Sequence, residues 1–534
     1  MNKRILSLLL AATLLAGSMT ACGGSGQASS PAAGDAPSAN FNATGYPVVN
    51  EPITITAMTF AAANSGDFNE LSMLKEISEK TGVNVKFDQI TGDAWTEKKN
   101  LTLAAGSDLP DLFYGGGITD SDILKYGKAG SFIPLNDLID KYAPNIKKMM
   151  DENPDIKTYM TMEDGNIYDI PFFDNFVPEN IPEMIFINKV WLDKLNLAVP
   201  TTTDELYTVL KAFKEQDPNG NNQPDEIPLT YFPNATYEGD YSLSGAFGVV
   251  DNTRHIMIKD GKAVFSNIQD GYKDYIKFQN KLYSEGLLDM EVFTQDSTQY
   301  YAKNQKDIAT IGVFSAYAPE LFCGMERAKD YVLLPPLKGP NGDQLWNKYS
   351  FGYYGGKALI TSSNKNPEAT MRWLDEQFEE EMSIRLHWGE LGDGVTKNAD
   401  GTYKLEQELP GGVSVDDYRF MKAPAFYSPG VMLATTYDKI QMADDKVNKA
   451  EHYKIYDPYT VKEWLPTVRL NDADQKVIGN ISTDINKHVR QFKAKWITGE
   501  GNIDNEWESF KGDLAKMNVE QYVEIYQRAY DNTK

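Results

Sequence analysis

Asp217-Pro218-Asn219-Gly220-Asn221-Asn222-Gln223-Pro224-Asp225-Glu226 sets oxygen-bearing side chains at a regular spacing. Asp217, Asn219, Asn221 and Gln223 recur at every second position, and Asp225 and Glu226 close the run. Calcium takes about six to eight oxygen ligands, and an EF-hand loop draws them from its positions 1, 3, 5, 7, 9 and 12. This run matches positions 1, 3, 5, 7 and 9, then departs, because Glu226 arrives at position 10 and a strand pattern follows. Asn222 stands where such loops carry Gly, and Asn tolerates the left-handed conformation better than most residues. Asp217, Asp225 and Glu226 repel one another without a cation, and the carboxyl end of the helix before them adds to that field. An ordinary Asn/Gly/Pro turn has the same composition. The alternate spacing favours calcium, held in a structural role.

Cys22 is a second residue placed for chemistry. Lys3 and Arg4 precede an apolar run from Ile5 to Leu15, and Met19-Thr20-Ala21-Cys22 brings small residues up to the thiol. A membrane-crossing helix needs about 20 apolar residues, so the run reads as an export signal. Residues 1–22 resemble a lipoprotein signal, in which lipid (palmitate or a similar acyl chain) is attached to Cys22. A plain signal peptide with an incidental cysteine is the alternative. Residues 23–38 are Gly, Ser, Ala and Pro with one Gln and one Asp. They cannot bury apolar surface, so 23–47 is expected to be a flexible tether. Two acyl chains anchor a protein stably where one does not. Of the 2 cysteines this leaves Cys323, expected to be a small buried hydrophobe.

Composition narrows the field. The 534 residues carry 52 Lys+Arg against 76 Asp+Glu, a net charge of −24. A nucleic-acid binder needs a basic footprint, so that class is excluded. With 4 His, little is left for a His-rich metal centre. One hydrophobic core stops growing near 250–300 residues, so at least two lobes are expected. No GxSxG or HExxH motif marks a common hydrolase.

The elements that must position these residues alternate along the chain. Ile53–Met58 alternates with period two and reads as a strand. Glu70–Lys80 reads as a helix stopped by Gly82. Val83, Val85 and Phe87 form a second strand, Trp95–Ala105 a helix, and Leu112-Phe113-Tyr114 a third strand. This β-α-β-α-β order predicts a parallel sheet covered by helices. Strands are also expected at Met184–Ile187, Ile227–Phe232, Ile308–Phe314 and Tyr353–Ile360. Helices are expected at Thr203–Gln216, at Tyr272–Glu285 and after Asn366-Pro367. The last hundred residues read as helical. Val477, Ile481, Ile485, Val489, Phe492 and Trp496 form one apolar stripe there.

The run Ala104-Ala105-Gly106-Ser107-Asp108-Leu109-Pro110-Asp111-Leu112-Phe113, then Ile187-Asn188-Lys189-Val190-Trp191-Leu192-Asp193-Lys194-Leu195, then Val199 to Leu206, carries a resemblance. Trp496-Ile497-Thr498-Gly499, Trp507 and Ala529-Tyr530-Asp531 continue it. In their order and spacing these segments resemble the family 1 extracellular solute-binding lipoproteins of bacterial ABC importers, related to maltose- and alginate-oligosaccharide-binding proteins. The resemblance implies an α/β, two-lobe periplasmic-binding-protein-like fold of type II with a helical C-terminal region. Crossing segments are expected near Phe172–Glu183, near Tyr353–Lys357 and after Trp388. The expected lobes are 48–176 with 354–395, and 177–353 with 396–534.

Such a fold implies an oligosaccharide ligand, ABC permease subunits as partners, and a monomer held by its lipid on the extracellular face of the cell membrane. Sugars lay C–H faces on aromatic rings and hydrogen-bond through their hydroxyls. The expected cleft residues are Trp95, Tyr114, Asp174, Asn175, Trp346, Tyr353, Tyr354, Trp388 and Glu390. Trp191 and Trp496 lie on helix stripes and are expected in the core. An acidic chain suits a neutral oligosaccharide better than an anionic one, and a peptide ligand stays open. A secreted carbohydrate-active enzyme and a sensor or adhesin lipoprotein are the competing classes.

Overall fold

The computed structural model describes residues 38–534, apart from 63, 93, 350–351, 407–408 and 411–414. Cys22 and the export signal lie outside the described residues. Two sheets organise the chain. The first has six strands in the order Gly430–Met432, Ile170–Asp174, Tyr353–Ile360, Leu112–Tyr114, Ile53–Ala61, Val83–Thr91. Ile53–Ala61 is parallel to both of its neighbours, as the alternation of strand and helix requires. Tyr353–Ile360 enters antiparallel to Leu112–Tyr114 and to Ile170–Asp174, with a register shift between Tyr354 and Ala358.

The second sheet has four strands, in the order Tyr331–Leu334, Met184–Asn188, Ile311–Ala316, Ile227–Thr230. Only its Ile227–Thr230 and Ile311–Ala316 pair is parallel; Met184–Asn188 is antiparallel to both neighbours. Helix Thr203–Glu215 covers this sheet. Thr202 caps it by accepting from Glu205 N, and it buries Leu206, Val209, Leu210 and Phe213, the last edge-on to Trp191 at 5.2 Å. The C-terminal region is helical as expected. Asp472–Thr498 is capped by Asn471 and stopped by Gly499 at φ 81°. Ile485, Val489 and Trp496 join the second core with Trp507 and Phe510. Lys493 enters that core too, and its ammonium bonds both oxygens of the fully buried Asp240 at 2.8 and 2.5 Å.

Two segments sit elsewhere than the sequence suggested. Residues 396–443, expected with the second lobe, pack on the first sheet: Tyr403, Leu405 and Ile440 share a cluster with Phe172, Trp388 and Met432. The physical reason is Gly430–Met432, which adds to the first sheet's edge beside Ile170–Asp174 and holds its flanks there. Helix Asp444–Tyr456 then returns to the second sheet, where the Tyr456 hydroxyl donates to Leu334 O and accepts from Ile185 N. The tether expected through 47 is already packed by Phe41, edge-on to Tyr142 at 5.1 Å, and Val48 is fully buried.

Candidate functional site

The strand directions bring several ends to one edge of the first sheet. Ile53–Ala61, Leu112–Tyr114 and Ile170–Asp174 finish there, and antiparallel Tyr353–Ile360 starts there. In α/β sheets ligands bind beyond this edge. The turn after Tyr114 is built from glycine because the neighbours are so close. A Cβ on Gly115 would lie 1.8 Å from Tyr427 O, and one on Gly116 would lie 2.0 Å from the Trp95 ring. Trp95 thereby lies against the turn, with Phe60 edge-on at 6.3 Å. Phe60 meets Tyr427 at 5.2 Å.

A cationic group continues this aromatic band. The Arg419 guanidinium lies 4.6 Å from the Phe426 ring and 4.7 Å from the Trp388 ring, and donates to His387 Nε2. Tyr354 stacks on Phe426 at 6.1 Å and 18°. Asp174 accepts from the Tyr437 hydroxyl at 2.7 Å. Burial pushes its carboxyl up to about 6, although Tyr437 and Arg419 pull the other way. Where the chain passes between the sheets, a cavity of about 240 Å³ is lined by Asn252, Arg254, Tyr353, Tyr354, Glu463 and Trp464, among others. Its walls offer aromatic faces beside amide, guanidinium and carboxylate groups.

The expected cleft residues divide. Tyr353 and Tyr354 line the cavity. Asp174 and Asn175 lie at the sheet edge, Asn175 exposed. Trp95 and Trp388 are mostly buried beneath this band. Three fall elsewhere. Tyr114 is wholly buried in the first core, its hydroxyl donating to Gln377 Oε1 at 2.7 Å, because it shares a strand face with Leu112. Trp346 is buried edge-on against Tyr456 at 4.7 Å, and its Nε1 donates to Glu183 O. Glu390 pairs with Arg385 and accepts from Ser72, clamping two helices of the first lobe together. The sequence reading missed Trp464, Arg254, Arg419, Tyr427 and Lys357. Trp464 lies in an irregular stretch with no periodicity to read. Lys357 left a signal, as the one charged residue of the strand YYGGKALI.

The 217–226 loop is organised around its oxygens. Asp217 Oδ1 accepts from Gly220 N and Asn221 N, and Oδ2 from Asn222 N. Asn219 Oδ1 accepts from Asn221 N, and Asn221 Oδ1 from Gln223 N. Both amide groups donate to Asp225. Gln223 is exposed. Glu226 Oε1 is buried with no hydrogen-bond partner, and its carboxyl is pushed up by burial, then by Asp225 and Asp217. An all-oxygen set with an orphaned carboxylate oxygen fits a hard cation such as calcium. Lys194, donating to Pro218 O at 2.8 Å, supplies a positive charge at the rim of the loop. Among the described residues no group of three or more His, Cys, Asp or Glu is gathered as a metal site.

Two α/β sheets, joined by crossing segments beside an aromatic and polar cavity, define a solute-binding protein of the periplasmic-binding-protein type. Residues 66–382 match the family described as bacterial extracellular solute-binding protein, and the chain belongs to that family. It is 35% identical over 544 residues, covering 98% of this chain and 97% of the relative, to the fructooligosaccharide ABC transporter substrate-binding protein FusA of Streptococcus pneumoniae. The structure of FusA in complex with kestose superposes with a TM-score of 0.81 at 34% identity, covering 90% of this chain and 99% of that one. A second FusA structure is of an EF-hand mutant in complex with fructo-nystose. A solute-binding protein of Bifidobacterium longum infantis, associated with an HMO-binding ABC transporter, gives a TM-score of 0.81 at 25% identity, covering 90% and 99%. Among the described residues no helix is long and apolar enough to cross a membrane.

Proposed function

We propose that this chain is the capture subunit of an ABC importer for a neutral oligosaccharide, with fructo-oligosaccharides as the first candidates. The observation that carries this reading is the cavity at the crossing, where Tyr353, Tyr354 and Trp464 stand beside Asn252, Arg254 and Glu463. Rings offer contact area to sugar C–H faces, and the polar groups read hydroxyls. The full-length likeness to FusA supports a fructose-containing ligand. The lobes of this reading are 40–176 with 353–443, and 177–352 with 444–534. Ligand bridging them favours a closed form by hinge bending, and that form docks on the permease. Cys22 carries the lipid, and the residues after it tether the capture domain to the outer face of the membrane.

Calcium completes the structural reading of the 217–226 loop. Asp217, Asn219, Asn221, Asp225 and Glu226 would hold it, with the exposed Gln223 lending at most its backbone carbonyl. Bound there, calcium neutralises three acids and pins the turn between helix Thr203–Glu215 and strand Ile227–Thr230.

A thermal-shift panel on the mature chain tests the function, using kestose, maltotriose, chitobiose and digalacturonate, with chromatography of the sugars afterwards. Stabilisation by kestose with the sugar recovered intact is expected. Shortened products would replace the receptor with an enzyme, and stabilisation by peptides alone would replace the ligand class.

A further inference from the structure

Lys357 stands apart from three other buried lysines. Lys99 pairs with Asp122 at 2.7 Å, Lys493 pairs with Asp240, and Lys449 donates to the carbonyls of Ile181 and Tyr317. Lys357 is 8% exposed, yet among the described residues its ammonium makes no hydrogen bond and no ion pair. Its Nζ lies 5.9 Å from the centres of the Tyr354 and Tyr427 rings. An ammonium has three donors and no acceptor, so each needs an oxygen partner. Burial alone holds its pKa down at about 8, with no carboxylate acting on it.

The backbone places this side chain. The register shift in the Tyr353–Ile360 strand falls between Tyr354 and Ala358 and encloses Lys357. Irregularities of this kind re-aim a side chain. Gly356 permits it, at φ 66° and with a Cβ position only 2.4 Å from Ile118 N. Lys357 O accepts from Gly115 N, which ties the residue to the turn at the sheet edge where ligands bind. The amine is therefore carried by a shaped backbone to the aromatic band, between two rings, without a protein partner.

We propose that Lys357 is a specificity-determining residue of the cleft, whose ammonium donates to hydroxyl oxygens of a neutral saccharide lying against the Tyr354 and Tyr427 rings. The inference rests on the saccharide-binding reading above and names the donor that reads the sugar. A lysine kept only for packing would be compensated inside the protein, as Lys493 is. Lys357 instead leaves its donors for something that arrives.

The test uses the mature chain, its Lys357→Met variant and its Lys357→Gln variant, each titrated with kestose and digalacturonate and melted without ligand. Lys357→Met is expected to bind kestose at least about tenfold more weakly, the loss typical of a hydrogen bond to a charged group. Lys357→Gln, which keeps donors, is expected to fall between. Ligand-free Lys357→Met is expected to melt a few degrees higher, since an unpaired buried charge is removed. Kestose affinity within twofold of wild type in Lys357→Met would overturn the proposal. Wild-type preference for digalacturonate, lost in Lys357→Met, would overturn it in favour of an anion site. If the wild type binds no kestose, the fructan reading fails on its own. The ligand-free melts then decide for Lys357: a lower melting temperature in Lys357→Met would make it structural and overturn the inference.

Discussion

Lys357 beneath the first sheet's edge and Lys493 in the second core are buried ammonium groups in opposite circumstances. Lys493 meets both oxygens of Asp240, which also accepts from the Tyr275 hydroxyl at 2.7 Å. The ammonium and the carboxylate there satisfy each other within the protein. Lys357 has two aromatic faces and no acceptor. Burial by itself therefore does not tell a structural charge from a functional one; the presence of a partner does. The second core is closed chemistry that holds a lobe together. At the edge of the first sheet, an ammonium without a protein acceptor lies beside two aromatic rings.

The largest effect that sharpens this contrast is expected at the closed pair. Lys493→Met strips the buried Asp240 carboxyl of its partner and should cost about 3–5 kcal/mol in chemical denaturation. Kestose affinity of the folded fraction should be unchanged. A loss of affinity there would blur the distinction between the two lysines. Removing calcium is expected to come next. At about 100 times its dissociation constant, a bound ion contributes about 2.7 kcal/mol. Chelation should lower the melting temperature by several degrees, and added calcium should restore it. Asp217→Ala should abolish the response. Equal melts with and without chelator would leave the loop an ordinary turn.

Much of the closed part was readable in the sequence. The apolar stripe ending at Trp496 and the alternation of Ile53–Met58 each reflect a single periodicity imposed by one buried face. Less of the open part was readable, for physical reasons. Tyr114 stood at the end of a strand, as a cleft residue would, but a strand end does not reveal its face, and Tyr114 shares the core side with Leu112. The antiparallel pairs of the second sheet leave no local mark that separates them from parallel ones. Residues 396–443 form strands of two or three residues, too short for periodicity; Gly430–Met432 pairs into the first sheet, and the others form a small sheet of their own whose side chains pack against it. Trp464 and Arg419 act through neighbours far off in sequence. The turn at 217–226 was readable because its spacing is local.

Smaller effects test the open side. Trp464→Ala removes a half-buried ring from the cavity wall and should weaken kestose binding by about 1–2 kcal/mol, with little change in melting temperature. Asp174 gives a pH signature. Its folded pKa is raised to about 6 from the ordinary 3.8, so the folded state holds the proton more tightly. Stability from this group is then full below about 4 and falls as pH rises through 6. Asp174→Asn, which still accepts from Tyr437, should flatten that slope and gain about 1 kcal/mol at pH 7. An unchanged slope between pH 4 and 7 would place the titration elsewhere.

On the proposed reading, the cleft captures a neutral oligosaccharide without altering it. Calorimetric titration of the calcium-loaded mature chain with kestose tests it most directly, with the sugar recovered afterwards. Saturable binding at one sugar per chain and recovery of intact kestose are expected. Heat without saturation, or recovery of fructose and sucrose, would contradict it.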